Sequence, residues 1–596
     1  MAPFIAELQH GQAASMQNET PSTKEHFVSS LSTTNTLPTS ISSTTQPPTW
    51  QSIAAHRRYQ ITSSIPSEWL LSPHLLQSKR PVDLVKTCGL LSEREIGIVY
   101  STAVDLLEKI RAREYTAVEV TTAFCMASAV AQQGTNCLAW TMYPSALSLA
   151  AELDAHMEKT GKPIGPLHGL PISVKEHIYL QNTPSTSGFV AWADNFCTDA
   201  AQEGICIKVL REQGAIFHVK TTNPQSLLSL ETDSNLYGAT TNPLNTTLSP
   251  GGSSGGESAL IAMHGSILGI GTDIGGSVRV PALNCGLYAL KPSVARLPHS
   301  GLNGAHEGME SIVGVVGPIA TCVADVELFC RTLLDAEPWI REVGLLPIPW
   351  GVRESLSLST SVSYGNDNGN GSDRKLRIGM IYTDGVHHPH PPITRILHQT
   401  TLKLQNAGHE IVPFPTHLHR QLIPIIDALY LLDGGTEYTN ILSQTSEPAT
   451  PLLSWLLHKE STQDRTIAQQ WTLHRERNRL QDAYATLMRE VGVDCLVGPG
   501  GVSVASKRGE ARYWGWGGGG GDYWGGADAG EGEGEGEVRR TEMEGLWRDD
   551  EGKGDEEDSG PRKYEGGSVG LQIVGRRLQE EKLLDMVKII EGVLKG

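Results

Sequence analysis

A lysine and two serines stand out in the middle of this chain as residues that could do chemistry together with the glycines around them. Ser253 lies in Ser249-Pro-Gly-Gly-Ser-Ser-Gly-Gly-Glu-Ser258, and Ser277 in Gly269-Ile-Gly-Thr-Asp-Ile-Gly-Gly-Ser-Val-Arg-Val-Pro281. Each serine is entered from a stretch that reads as loop. Glycine is used where the backbone takes positive φ or closely approaches another group. Gly251, Gly252, Gly255, Gly256, Gly275 and Gly276 around two hydroxyls therefore point to backbone N–H groups gathered about a reacting oxygen. Such a grouping suits a serine nucleophile, with donors waiting for a developing oxyanion.

Three other readings fit less well. A phosphate-binding loop needs Lys-Ser/Thr after its last glycine, and neither cluster has it. Gly269-Ile-Gly271 starts like a dinucleotide fingerprint but lacks the third glycine at the required distance. Gly252-Ser-Ser-Gly-Gly256 matches the G-x-S-x-G nucleophile elbow, with Ser254 as its serine. An elbow follows directly on a buried strand, whereas Asn242-Pro-Leu-Asn-Thr-Thr-Leu-Ser-Pro250 reads as a turn-rich loop.

The surrounding elements read as helices leading into an α/β sheet. Ser92-Glu-Arg-Glu95 and Thr116-Ala-Val-Glu119 have capping-box spacing, and apolar residues recur at helical spacing behind both. A further helix is expected over Ser145 to Met157. Leu170-Pro-Ile-Ser-Val-Lys175 alternates as a strand, and a lysine at its end either leaves the sheet for water or is buried for a purpose. Helix Ala200 to Gln213 and strand Ala215 to Lys220 follow. Gly255 to His264 reads as a helix whose positive end faces Ser253 and Ser254. Strands are expected at Leu376 to Ile381, His409 to Phe414 and Asp494 to Val497. Helices are expected at Pro392 to Ala407 and Gln469 to Val491.

Composition bounds the rest. The 596 residues are 39% hydrophobic, enough for a large core, and the net charge of −18 argues against a nucleic-acid partner. Asp528 to Glu565 alone carries 15 acidic and 6 basic residues, half of that net charge. The nine cysteines show no CxxC pairing or zinc-ligand spacing, so buried thiols in a reducing compartment are expected. No secretory signal or bilayer-length apolar run is present, and a soluble, cytoplasmic protein is the expectation. Residues 1–49 are Ser-, Thr- and Pro-rich and read as disordered.

The motifs also resemble those of the amidase-signature family. Gly165-Pro-Leu-His-Gly-Leu-Pro-Ile-Ser-Val-Lys-Glu176 is similar to that family's lysine motif. Gly251-Gly-Ser-Ser-Gly-Gly-Glu257 and Gly271-Thr-Asp-Ile-Gly-Gly-Ser-Val-Arg279 are similar to its two serine motifs, in family order. Trp50 to Leu70 and Gly301 to Pro318 look most like fungal acetamidases and general amidases, which are relatives of fatty-acid amide hydrolases. The resemblance implies a single large α/β domain, a mixed central sheet covered by helices, formed by residues 50–500 and completed by a C-terminal strand and helix at 566–596.

The resemblance implies roles too. Ser277 would be the nucleophile, Ser253 a bridging serine preceded by a cis peptide, and Lys175 the base, which must be neutral to act. Ile274, Gly275, Gly276 and Ser277 would direct N–H groups at the oxyanion. Asp273 and Arg279 would hold the nucleophile loop, and Ser254 would orient the lysine or the bridging serine; ordinary loop-stabilising contacts are the competing reading for all three. Leu227 aligns with a substrate-pocket position or belongs to the core. His168 and His177 read as structural, as do the cysteines. No cofactor or metal is implied. The expected reaction is hydrolysis of small aliphatic amides such as acetamide through an acyl-enzyme. Fatty-acid amide hydrolysis, an amidotransferase-type subunit and an inactive scaffold remain as alternatives. The partner implied is the small-molecule amide itself, and a homodimer is compatible with the sequence.

One segment departs from the family pattern. Residues 501–565 hold Gly517 to Gly521, a Glu-Gly alternation over Glu531 to Glu537 and acidic runs, where an apolar core-crossing stretch is usual. They read as a low-complexity insert or as the product of a mis-assigned intron. If a core strand were lost there, the defect would cost several kcal/mol, as core cavities do.

Overall fold

The computed structural model describes residues 48–351, 374–512, the backbone of 526–530, and 564–595. The disorder expected for 1–47, like the Gly517 to Gly521 and Glu531 to Glu537 runs, lies outside the described residues. Among the described residues, eleven strands form one sheet. In chain order they are β1 Leu138–Thr141, β2 Pro171–Lys175, β3 Ile216–Thr221, β4 Leu268–Asp273, β5 Tyr288–Lys291, β6 Val315–Ala320, β7 Arg377–Met380, β8 Glu410–Pro413, β9 Cys495–Pro499, β10 Gly526–Gly530 and β11 Gly570–Val574. Their spatial order is β1-β3-β2-β4-β6-β5-β10-β11-β9-β7-β8. Strands β3, β2 and β4 run parallel, as do β9, β7 and β8, and the intervening pairs are antiparallel. The sheet is mixed and the helices pack on it, in agreement with the expected fold class.

The capping boxes form as their spacing predicts. Ser92 starts helix Glu93–Val99 and Thr116 starts helix Ala117–Thr135, each with the reciprocal side-chain and backbone bonds. Helix Ala117–Thr135 is buried along most of its length in the main apolar core, with Val120, Phe124 and Val130 inaccessible. A second apolar cluster gathers Phe189, Leu228, Ile312 and Ile381 with residues of helices His419–Tyr430, Thr436–Ser443, Pro451–Leu457 and Ile467–Val491.

Two sequence expectations change. Within the stretch before Ser277, Leu268–Asp273 is the buried strand β4, and only residues 274–276 are loop. The strand's glycines hid it, and they are there for contact: a Cβ at Gly269 would stand 2.2 Å from Glu257 Oε2, and one at Gly271 would stand 2.8 Å from Val278 Cγ2. The second change lies within 501–565. Gly526–Gly530 pairs antiparallel with β5 on one side and β11 on the other, with Gly526 opposite both Lys291 and Val574. That strand joins the two halves of the sheet. Gly-Ala-Asp-Ala-Gly has neither β-branched nor aromatic residues, so local pattern gave no sign of it; the ladder bonds of two neighbours make it a strand.

Candidate active site

Strands β2 and β4 lie side by side and parallel, with Val174 opposite Ile270. Lys175 at the end of β2 and the turn that follows Asp273 therefore leave the sheet at the same edge. Carboxyl ends of parallel strands are where α/β sheets carry their sites. Ser253 reaches this edge from the other direction, two residues before helix Gly255–Ala262, which packs on β2 and β4 and is buried throughout. The peptide between Gly252 and Ser253 is cis. A side chain at Gly252 would collide with the backbone of Ser229 and Glu231 at 2.5 Å, so glycine is required there.

Lys175 is inaccessible to solvent, yet it carries an amine. Its Nζ lies 2.7 Å from Ser253 Oγ, 2.9 Å from Thr272 Oγ1 and 3.4 Å from the Thr272 carbonyl oxygen. Burial lowers its pKa from the ordinary 10.5 to about 7, against the opposing pull of Asp273, Glu257 and Glu176. The alternative in which this lysine reaches water is excluded. Glu257, one helical turn beyond Ser253, accepts a hydrogen bond from Thr221 Oγ1 at 2.8 Å and another from Ser173 Oγ. Burial raises its carboxyl to about 8, so around neutral pH it adds little negative charge to hold the lysine protonated.

The loop after β4 is organised by Asp273. Its Oδ1 accepts from Gly276 N–H at 2.7 Å and from Arg279 Nη2 at 3.0 Å, and its Oδ2 from Arg279 Nε at 3.0 Å and Val278 N–H at 3.1 Å. Burial would push this carboxyl up, but the Arg279 guanidinium and its hydrogen bonds, with Lys291 and the Gly276 N–H, hold it well below the usual carboxylate range. The Gly276 N–H, expected from the sequence among the oxyanion donors, donates to Asp273 here. Gly276 serves the turn instead, at φ +116°. The Ser277 carbonyl accepts from Ser254 N–H at 3.0 Å, which stitches the two serine loops together.

The other residues singled out from sequence divide. Ser254 is fully buried, and its Oγ makes contacts of 3.3 Å and 3.4 Å with the backbone carbonyl and N–H of Thr272. That occupancy is structural and unlike an elbow nucleophile. Ile274 is half-buried and packs against the second apolar cluster. Leu227 is half-buried at φ +65°, and its N–H bonds the Pro224 carbonyl at 3.2 Å within its own turn. His168 Nδ1 accepts from the Ile164 N–H at 3.1 Å, in its own loop.

Sequence reasoning missed Thr272 and assigned too little to His177. Thr272 was visible inside the second serine motif, and its hydroxyl touches the lysine. His177 Nε2 lies 2.9 Å from Thr272 Oγ1. Strand β2 ends at Lys175 and His177 lies in the turn that follows, so strand alternation gave no signal for it.

Comparisons with known proteins follow the same line. A family model described as Amidase matches residues 119–519. The chain is 34% identical to the acetamidase of Emericella nidulans, over 92% of this chain and 99% of that one. It is also 34% identical to the acetamidase of Aspergillus oryzae, over 91% and 99%. The solved structure of a fatty acid amide hydrolase superposes with a TM-score of 0.80 at 29% identity, covering 91% of this chain and 95% of that one.

Proposed function

This chain belongs to the Amidase family and hydrolyses amides, and from that premise we propose that it does so through Lys175, Ser253 and Ser277. The observation that carries the reading is the buried, deprotonation-prone Lys175 amine 2.7 Å from Ser253 Oγ. Neutral Lys175 takes the Ser253 hydroxyl proton while Ser253 Oγ takes that of Ser277, whose Oγ attacks the amide carbonyl carbon. The oxyanion forms against the N–H groups of Ile274, Gly275 and Ser277, each such donor being worth roughly 3 kcal/mol. As the C–N bond breaks, the Lys175 ammonium returns its proton through Ser253 to the leaving nitrogen. Water then attacks the acyl-enzyme by the reverse relay, releasing the acid.

The proton inventory gives the test. A base must be neutral, so kcat/KM should fall about tenfold per pH unit below a limb near pH 7, where the Lys175 amine titrates. A pH–rate profile that stays level from pH 5 to 8 in an active enzyme would remove Lys175 as the base.

Small aliphatic amides are the proposed substrates, supported by the likeness to two acetamidases. One observation favours a second reading, a long acyl amide: the likeness to a fatty acid amide hydrolase runs over nearly the whole chain, and the half-buried Ile274 adjoins the second apolar cluster. A chain filling such a surface gains about 0.8 kcal/mol for each buried CH2. Comparing kcat/KM for acetamide and a long-chain primary amide separates the two; acetamide is expected to be the better substrate, and a large reversal selects the second reading. We place the enzyme in the cytoplasm, an assignment supported by nine free thiols. No helix among the described residues is long and apolar enough to cross a membrane.

A further inference from the structure

The hydrogen bonds behind Lys175 have a direction, and it is set by His177. His177 is buried, its Nδ1 2.9 Å from the Asn303 carbonyl oxygen and its Nε2 2.9 Å from Thr272 Oγ1. A carbonyl oxygen only accepts, so Nδ1 carries the proton. Burial, with the Lys175 charge nearby, holds the imidazole well below its ordinary pKa, so the ring is neutral and Nε2 is an acceptor. Thr272 must then donate its hydroxyl proton to His177. What remains on Thr272 Oγ1 toward Lys175, 2.9 Å away, is lone pairs.

We propose that His177 is a positioning residue for the lysine base: by claiming the Thr272 hydroxyl proton it obliges Lys175 to donate an N–H to Thr272, which turns the amine's lone pair toward Ser253. A neutral amine has two N–H bonds and one lone pair. Thr272 presents two acceptors, its Oγ1 at 2.9 Å and its carbonyl oxygen at 3.4 Å, and Ser253 Oγ occupies the third direction at 2.7 Å. Without His177 the Thr272 hydroxyl is free to rotate and donate to Nζ, occupying the lone pair that Ser253 needs. The inference rests on the reading of Lys175 as the base.

The same geometry fixes the sign of a pH effect. A Thr272 that only accepts stabilises the ammonium; one that also donates stabilises the neutral amine. Loss of His177 should therefore lower the apparent pKa of Lys175 while slowing the reaction. The other titratable groups facing this pair are Asp273 from the nucleophile loop, Glu257 from helix Gly255–Ala262 and Glu176 beside the lysine, with His299 and Lys220 toward His177. None of these is altered by the substitutions below.

The experiment is a set of pH–rate profiles on the full chain with acetamide. His177→Leu should lower kcat by roughly 10- to 100-fold and move the acid limb of kcat/KM down by about half a unit or more, with KM little changed. His177→Gln, whose amide oxygen can still accept from Thr272, should recover most of kcat and return the limb. Thr272→Val should resemble His177→Leu, and the double variant should be no worse than Thr272→Val, because both act on one bond chain. Folding is checked by the near-UV circular dichroism of each variant. Wild-type kcat and limb in His177→Leu, or a folded His177→Gln as impaired as the leucine variant, overturns the proposal. A wild-type profile with no acid limb overturns the reading of Lys175 instead, so the two failures are distinguishable.

Discussion

Ser277→Ala is expected to abolish covalent labelling by a fluorophosphonate and to lower kcat on acetamide by roughly 10⁴- to 10⁶-fold, the range seen when a serine nucleophile is removed from a working unit. The fold should survive it. The bonds that shape the nucleophile loop run from Asp273 to Gly276 N–H, Val278 N–H and the Arg279 side chain, and from the Ser277 carbonyl to Ser254 N–H. None of them uses Ser277 Oγ. Removing one hydroxyl from a nearly buried side chain leaves that frame intact, so the loss reports on chemistry.

Two companions sharpen this result. Ser254→Ala should still be labelled, because the Ser254 hydroxyl is engaged with the Thr272 backbone. Labelling that survives Ser277→Ala and vanishes in Ser254→Ala would transfer the nucleophile to Ser254. Adding Lys175→Met to Ser277→Ala should cost little beyond the single change, since residues acting as one unit lose their effect together. Residual turnover is expected to persist from the oxyanion donors and binding alone, at about 10³- to 10⁴-fold over water.

How much of this was legible in the sequence depends on what kind of information each part carries. Helix starts were readable because a capping box is local: Thr116 and Glu119 satisfy each other across one turn whatever lies elsewhere. Lys175, Ser253 and Ser277 were readable as types in motifs, and their roles came from resemblance. Their distances were not: Lys175 and Ser253 are 78 residues apart in the chain and are brought to 2.7 Å only by the packing of β2, β4 and helix Gly255–Ala262. Two errors have one cause. Strand β4 looked like a loop and Gly526–Gly530 looked like nothing, because both are rich in glycine. A glycine reports that something approaches closely, here Glu257 and Val278, but not what. The Gly276 N–H illustrates the same limit: sequence placed it beside the nucleophile, and only the Asp273 carboxylate decides where it points. The role proposed for His177 was not legible because it depends on which ring nitrogen carries the proton, and that is set by the Asn303 carbonyl far along the chain.

The largest expected loss of stability follows from the ion pair that holds the nucleophile loop. Arg279 and Asp273 are both buried and paired in two-pronged fashion. Arg279→Leu leaves a carboxylate buried without its counter-ion, which costs about 3–5 kcal/mol, a large part of a domain's net stability. In the wild type the depressed Asp273 pKa contributes stability that is present above the unfolded value and lost as pH falls through the folded one. In Arg279→Leu burial has lost its main opponent, so the folded pKa rises and the stability that the depressed pKa contributed above it shrinks. Urea unfolding should therefore show a deficit that is greater at pH 7.5 than at pH 5. Asp273→Asn combined with Arg279→Leu should recover much of the stability, because neutralising both members removes the buried charge. It should not recover activity, since a single amide oxygen replaces a carboxylate that now gathers Gly276, Val278 and Arg279. Asp273 also opposes the lowering of the Lys175 pKa, so whatever turnover the double variant keeps should have its acid limb below pH 7. An Arg279→Leu protein as stable as wild type at pH 7.5, or a double variant with a limb moved upward, would contradict the electrostatic coupling between this loop and the lysine.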